Sequence, residues 1–585
     1  MRVCVMGAGP SGLTTIKQLL DEGHDVQCFE KGSDIGGIWQ RNPDPAADAE
    51  EMKVFDSLIL TISIKLMSYS DFMVSGERVF YTHGQYRQYL GAYAEKFGLR
   101  RHIALNSRVE EVRKEADGRW AVTVDTGGVS QTSVFDAVAV CSGPFQTPDK
   151  TSVPDLEKFS GEVVHSSAYR NNRRFVGKRV MVVGLAESGA DIAREVSDVA
   201  SACTLSIRSY SFLVPRVHNG EYATDATASR ALYYDHFVRS VRQRFPVPAL
   251  HGDTPLERAA FHSLTWFYAL ATGPYDELVA RWKSRGSNPE RNPVGEPARP
   301  LKLDLGCEWT REHVDAINDW NKRSHGFESN WSQRILFSKN VSFIPNIVNG
   351  KLRVNDSGVD RIVGHRVFFK DGHSEEFDAI VLCTGFKKDF SALGHDLAVK
   401  DNNVRNLYKH AFHPDHGGRL AFIGFVRPYT GGIPIVAEMQ ARYFALLCSG
   451  KHRLPADLAE RIQREKQWED EMVSLSPRHP ETIPSQAMFI DGMAKEIGCL
   501  MPLSELMFRP RLLVRHWLYP FNQACYRLTG PHSDPESAER EMMSDRVGPG
   551  GVLSKAILLL PLLLLPRFVH PKYVLFDHPK ASTSR

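Results

Sequence analysis

The 585-residue sequence lacks a long run of one charge sign, a C-x-x-C pair and any tandem repeat. Lysine and arginine number 72 against 69 aspartates and glutamates, a net charge of +3, which gives no electrostatic footprint for nucleic acid and turns attention to small-molecule partners. The nine cysteines are an odd, scattered set, several of them inside apolar strand-like runs. That excludes a disulfide framework, a zinc site and a redox dithiol. No Ser/His/Asp arrangement or metal-ligand cluster stands out. The absence of a repeat excludes a solenoid. A strand begins by Arg2, leaving no charged leader or apolar signal segment, so the catalytic body is expected to be cytosolic. What is present is ordinary globular composition, 42% hydrophobic and 24% charged, in a chain long enough for two or three domains.

Two stretches have the same order of elements. Arg2 to Met6 reads as a buried strand, GAGPSG as a tight turn, Leu13 to Leu20 as a helix, and VQCFE (26–30) as a second strand. Later come the strand RVMVVG (179–184), the turn LAESG, a helix from Ala190 to about Val199, and the strand CTLSIR (203–208). Two βαβ units of this kind imply an α/β fold with two Rossmann-like dinucleotide-binding domains, followed by a helical or irregular carboxyl-terminal region. FDAVAVCSG (135–143) and FDAIVLCTGF (377–386) resemble each other and end in small-residue turns that carry the chain between domains. Thr384 and Gly385, in the second of these turns, are cofactor-binding candidates. The Pro-, Gly- and charge-rich stretch 285–302 reads as a surface loop or insertion.

In the first loop Gly7, Gly9 and Gly12 follow a strand and open a helix, so the backbone can approach a pyrophosphate and offer it N–H groups at the positive helix end, with Ser11 among them. Glu30 ends the next strand, where a carboxylate accepts a hydrogen bond from a ribose hydroxyl. Gly36, Gly37 and Trp39 lie just beyond, where a flavoprotein brings its chain along the cofactor. In the second loop Gly184, Ala186 and Gly189 hold the three glycine positions, alanine tightening the approach without excluding it. Ser188 is placed to bond a phosphate oxygen. Arg208 stands at the end of the second strand where an NAD site would carry an acid, which favours NADPH over NADH; the alternative for Arg208 is an ordinary surface cation.

Between the loops, Phe159, Gly161, His165 and Tyr169 spell F-x-G-x-x-x-H-x-x-x-Y. This resembles the identifying motif of the class B flavin-containing monooxygenases, whose Baeyer–Villiger relatives usually end it in tryptophan. LMSYSDF (66–72), YRQYLGAYAEKFGL (86–99), GRLAFIGFV (418–426), GGIPIVAEMQARY (431–443) and YRLTGP (526–531) are similar to the same family, nearly end to end. The resemblance implies FAD and NADPH as cofactors, O2 as co-substrate, and transfer of one oxygen atom through a C4a-hydroperoxyflavin to a soft N or S centre of a small molecule. It also implies that His165 links the two domains rather than moving a proton. On this basis residues 1–150 are expected to form the first part of the FAD domain and 151–335 the NADPH domain with an insertion. Residues 336–450 are expected as the FAD domain's return segment, and 451–585 as a carboxyl-terminal region.

One departure concerns the flavin-side position, where the family usually has asparagine within V-T-N-T-S-K and this sequence reads LTISIK with Ile62. Isoleucine forms no hydrogen bond. Thr61, Ser63 and Lys65 are nearby polar candidates, Lys65 by default being solvated. The apolar run Ala556 to Pro566, basic-flanked, would cover about 16 Å as a helix, too short to span a bilayer of about 30 Å. It suits a monotopic membrane contact through 552–570, the alternative being a tail folded on its own core or on a homodimer partner. A Baeyer–Villiger reaction and an NADPH oxidase releasing H2O2 are the competing readings.

Overall fold

The computed structural model describes residues 1–40, 53–218, 222–230, 310–324, 337–394, 397, 399–428, 431–473, 482–483 and 486–545. The elements that position the site are β1 (Arg2–Met6), α1 (Pro10–Asp21), β2 (Asp25–Phe29), α2 (His83–Lys96), β3 (Ile103–Ala104) and β4 (Ala137–Val140). The second unit has β5 (Glu162–His165), β6 (Arg179–Val183), α3 (Glu187–Ser197), β7 (Ala202–Ser206), β8 (Leu352–Asn355) and β9 (Ala379–Leu382). The chain then runs through β10 (Leu420–Phe422), α4 (Ile433–Cys448), α5 (Gln486–Ile497), α6 (Pro510–Leu518) and α7 (Pro535–Ser544).

The expected α/β architecture is present as two five-stranded sheets, ordered β10-β4-β1-β2-β3 and β8-β7-β6-β9-β5, with every pairing parallel. Parallel strands covered on both faces are apolar throughout rather than alternating. β1 and β6 follow this rule: Val3, Cys4, Val5, Val180, Met181 and Val182 are all fully buried. The strand that ends FDAVAV lies beside β1 and the one that ends FDAIVL lies beside β6, in the same place in each sheet. The stretch 336–450, expected as one return segment, divides its strands: β8 and β9 pair in the second sheet and β10 in the first. Helices begin earlier than apolar periodicity suggested. Pro10 opens α1, where its missing N–H costs nothing, and α3 starts at Glu187 rather than Ala190.

The first sheet shares one core with the carboxyl-terminal helices, which brings Leu13, Tyr93, Phe444, Ile490, Leu513 and Tyr526 together. α4 is buried over nearly its whole length and packs against α1. A charge network ties these parts. Arg527 donates to Glu438 at 2.8 Å and to Asp71 at 3.0 Å, and Lys17 pairs with Asp71 at 2.7 Å. No helix among the described residues is long and apolar enough to cross a membrane. The apolar run within 552–570 and the stretch 285–302 lie outside the described residues.

Arg527 is the hub of this network, and removing one partner of a buried ion pair leaves the others uncompensated. We expect Arg527→Met to lose about 3–5 kcal/mol of unfolding free energy in urea titrations, and Glu438→Gln added to it to recover part of that loss.

Candidate active site

The first loop is shaped by what its glycines leave out. Gly7 adopts φ +98°, and a Cβ added at Gly12 would lie 1.8 Å from the Gly7 carbonyl oxygen. The helix start therefore lies directly on the end of β1. No side chain caps α1, so its first-turn N–H groups and the positive end of its dipole are left for an anion. Gly9 meets the backbone of Gly37, whose Cα is 3.5 Å from where a Gly9 Cβ would stand. Two stretches of chain thus pass each other with no side chain between them. Trp39, half-buried, meets Tyr86 edge-on at 4.9 Å. Glu30 is buried and accepts from the N–H groups of Ala8 at 2.7 Å and Gly32 at 2.8 Å. A carboxylate has about four lone-pair sites, so capacity for a ribose hydroxyl remains. Ser11 is pinned from above by Gly424, where an added Cβ would lie 1.9 Å from the Ser11 Oγ. Gly424 is absent from the sequence-based candidates; its signal is the glycine inside the apolar run FIGFV.

The second loop has the same construction. Gly184 adopts φ +96°, and a Cβ at Gly189 would lie 2.2 Å from the Gly184 carbonyl oxygen. Ala186 caps α3 at φ −132°, extended backbone that any residue adopts, which explains why alanine serves in the middle position. Ser188 is in the first turn of α3, half-buried. Arg208 is exposed; the strand expected over 203–208 ends at Ser206, where its pairing with β8 ends, and the Arg208 stem lies along Gly358. Under the two loops Cys141 and Cys383 occupy matching places, their Cβ atoms 3.7 and 3.4 Å from the sites of added Cβ atoms at Gly12 and Gly189. Both are small residues beneath a helix start, and burial raises both thiols to about 12.

His165 ends β5 and holds the turn that follows its neighbour β9. The Ser167 N–H donates to Nδ1 at 3.1 Å, so the proton is assigned to Nε2, which donates to the Gly385 carbonyl at 3.0 Å. Asp149 N–H donates to the same carbonyl at 2.9 Å, and the Thr384 hydroxyl donates to the Asp149 carbonyl. Phe386–Lys387 then pairs antiparallel with Thr147–Pro148. The motif histidine thus fastens the crossing strands. Tyr169 is fully buried, its hydroxyl donating to Glu195 at 2.7 Å.

Ile62 is buried beside Gly432, the residue that caps α4. Ser63 donates its N–H to Asp225 Oδ2 at 2.7 Å. The expectation of a solvated Lys65 is overturned: its side chain is 1% exposed and lies 3.6 Å from Glu541 and 3.9 Å from Asp545. The cause is the carboxyl-terminal region folding over the 60–68 segment, where Gln523 Nε2 donates to the Lys65 and Ser68 carbonyls. Burial alone would raise the Asp545 carboxyl, but Arg78 and Lys65 hold it below the ordinary value. Among the described residues no group of three or more His, Cys, Asp and Glu could hold a metal ion.

A family model described as flavin-binding monooxygenase-like matches residues 1–247 and 310–546. The chain belongs to the flavin-binding monooxygenase-like family. This monooxygenase is 34% identical over 546 residues to a 4-hydroxybenzoate brominase (decarboxylating) of Pseudoalteromonas luteoviolacea (strain 2ta16), covering 93% of this chain and 92% of the relative. It is 28% identical over 545 residues to human flavin-containing monooxygenase 2, covering 91% and 89%. Its fold is similar to that of S-allyl-L-cysteine S-oxygenase from Allium sativum, with a TM-score of 0.56 at 21% identity over 92% of this chain and 97% of the other. It is also similar to cyclohexanone monooxygenase from Rhodococcus sp. Phi1 bound to NADP+, with a TM-score of 0.52 at 15% identity over 85% and 97%. This monooxygenase is an FAD-containing, NADPH-dependent enzyme, and its two glycine loops fit two dinucleotides.

Gly12→Ala forces a methyl group against the Gly7 carbonyl, so the purified variant should lose most of its yellow colour, whereas Gly9→Ala, with an ordinary 3.5 Å contact, should keep more; flavin-to-protein absorbance ratios read this directly. Arg208→Ala should raise KM for NADPH far more than for NADH, because only NADPH carries the 2′-phosphate that an arginine at this position would pair with. Equal effects on the two nucleotides in steady-state assays would count against Arg208 as the discriminator.

Proposed function

We propose that Gly7, Gly9, Ser11, Gly12, Glu30, Gly37 and Trp39 hold FAD, that Gly184, Ser188, Gly189 and Arg208 hold NADPH, and that Thr384 and Gly385 line the crossing between them. The observation that carries this assignment is the duplicated loop, an uncapped helix start pressed on a parallel strand, once beside a buried acid and once beside an exposed arginine. FAD when bound accepts hydride from NADPH and activates O2. The chain's own residues bind the two pyrophosphates on helix ends, fix the crossing strands through His165, and bury the Ile62 side from water.

We further propose that oxygen is delivered to a soft nucleophilic N or S centre of a small molecule. The motif ending in Tyr169 supports this, as do relatives named as N-oxide-forming. A second reading is favoured by the 34% relatives that are named 4-hydroxybenzoate brominases. Bromide is itself a soft nucleophile, so the same oxygen transfer would serve a halide. Fold likeness to cyclohexanone monooxygenase keeps ketones among the substrates to be tested.

Incubation with NADPH, O2 and, in turn, N,N-dimethylaniline, methyl phenyl sulfide, cyclohexanone, and bromide with 4-hydroxybenzoate separates these readings by product. We expect N-oxide or sulfoxide in proportion to NADPH consumed. Brominated phenol as the sole product selects the second reading, an ester the Baeyer–Villiger one, and hydrogen peroxide alone rejects all three.

A further inference from the structure

The segment that carries Ile62 is flanked by buried polar atoms without partners. Asp225 is 2% exposed; its Oδ2 accepts from the Ser63 N–H at 2.7 Å, and its Oδ1 has no hydrogen bond. The Ser63 hydroxyl, fully buried, also has none. On the other side, Gln486 donates Nε2 to the Gly432 carbonyl at 3.1 Å while its buried Oε1 is left without a partner. Gly432 is the residue against which Ile62 packs. Buried polar atoms are ordinarily satisfied, and buried charges are paired. Asp225 Oδ1 and Gln486 Oε1 are pure acceptors and would be satisfied by a donor; the buried donor on the same segment, Lys65 Nζ, also makes no hydrogen bond but lies between Glu541 and Asp545 instead.

The charges decide which donor. Lys65 is the nearby cation, but Glu541 and Asp545 flank it at 3.6 and 3.9 Å, and Arg78 donates to Asp545 at 3.1 Å. Asp225 has no ion pair among the described residues. Arg515 also donates to the Asp545 carbonyl, so Glu541 and Asp545 have cations beside them, and the carboxylate without one is Asp225, beside Ser63. An anionic substrate would be repelled there and a cationic one drawn in.

We propose that Asp225 is the counter-ion for a protonated amine substrate and accepts its proton, an inference that rests on the reading of oxygen transfer to a nitrogen centre. The ammonium N–H bond breaks, its electron pair stays on nitrogen as the lone pair that is oxygenated, and the proton forms an O–H bond on the Asp225 carboxylate. Ile62 and Met67, apolar and buried, both pack on Gly432 and favour an amine with hydrocarbon substituents.

The test is a titration of the oxidised holoenzyme followed by the flavin absorbance difference spectrum, with N,N-dimethylbenzylamine and its neutral carbon isostere isobutylbenzene as probes. We expect the wild type to bind the amine at least about tenfold more tightly than the isostere, and Asp225→Asn, which keeps an oxygen for the Ser63 N–H, to abolish that preference while leaving isobutylbenzene binding within about twofold. Equal weakening of both probes would mean that Asp225 only supports the fold, and overturns the proposal. If Asp225→Asn does not retain flavin, the wild-type comparison decides alone, no preference for the amine being fatal. Oxygenation of methyl phenyl sulfide by a wild type without amine preference would sink the Asp225 role and leave the function standing. Failure to oxygenate any amine or sulfide removes the function and this inference together.

Discussion

The contact between the first glycine's carbonyl and the opening turn of the helix is the constraint on which both nucleotide sites depend. With 1.8 Å between the Gly7 oxygen and the site of an added Cβ at Gly12, and 2.2 Å in the second unit, no other residue allows the helix to begin where it does. Because the helix begins there, its uncapped N–H groups lie at the carboxyl edge of a parallel sheet. Because the sheet is parallel, its strands need crossovers, and those crossovers bring Cys141 and Cys383 under the two loops. One steric condition, met twice, thus sets the helix start against the strand end at each site.

A second level of organisation comes from buried charge. Arg527, Glu438, Asp71 and Lys17 join the carboxyl-terminal region to the first sheet, and Glu541 and Asp545 close over the 60–68 segment through Lys65 and Arg78. Such pairs contribute little net stability compared with apolar residues of the same shape, but breaking one is costly, so they favour a single register of the two parts. The Ile62 region is therefore built from distant stretches of chain: residues 60–68, 225, 432 and 486, with 523 and 541–545 packed over it.

This explains what could be read in the sequence. The glycine loops, Glu30, and the paired strands ending in Cys-Ser-Gly and Cys-Thr-Gly are local patterns whose physical reason is local, and the architecture followed from them. Lys65 could not be read, because its burial is caused by residues more than 450 positions away. Asp225 carries no motif and matters only through the Ser63 amide that the fold brings to it. Gly424 was visible as a glycine in an apolar run, but its reason, the Ser11 hydroxyl beneath it, is tertiary. The helix starts were misplaced by a few residues because apolar periodicity begins only after the first turn, whereas Pro10 and Glu187 already belong to it.

The two loops share a backbone but differ in enclosure, and on the proposed assignment that difference has a kinetic meaning. Gly9 is covered by the Gly37 backbone, Ser11 by Gly424, and Glu30 is buried. A dinucleotide seated there is held between two stretches of chain, and its release requires them to separate. In the second loop Ala186 is exposed, and the proposed discriminating cation, Arg208, is exposed as well. A charge-assisted contact near solvent is weaker and more strongly screened than a buried one. Such an arrangement suits a nucleotide that must enter reduced and leave oxidised in each cycle, while the enclosed one suits a flavin that stays. The alanine in the second loop accords with this openness: Ala186 is exposed and its backbone is extended, so its methyl group is accommodated there.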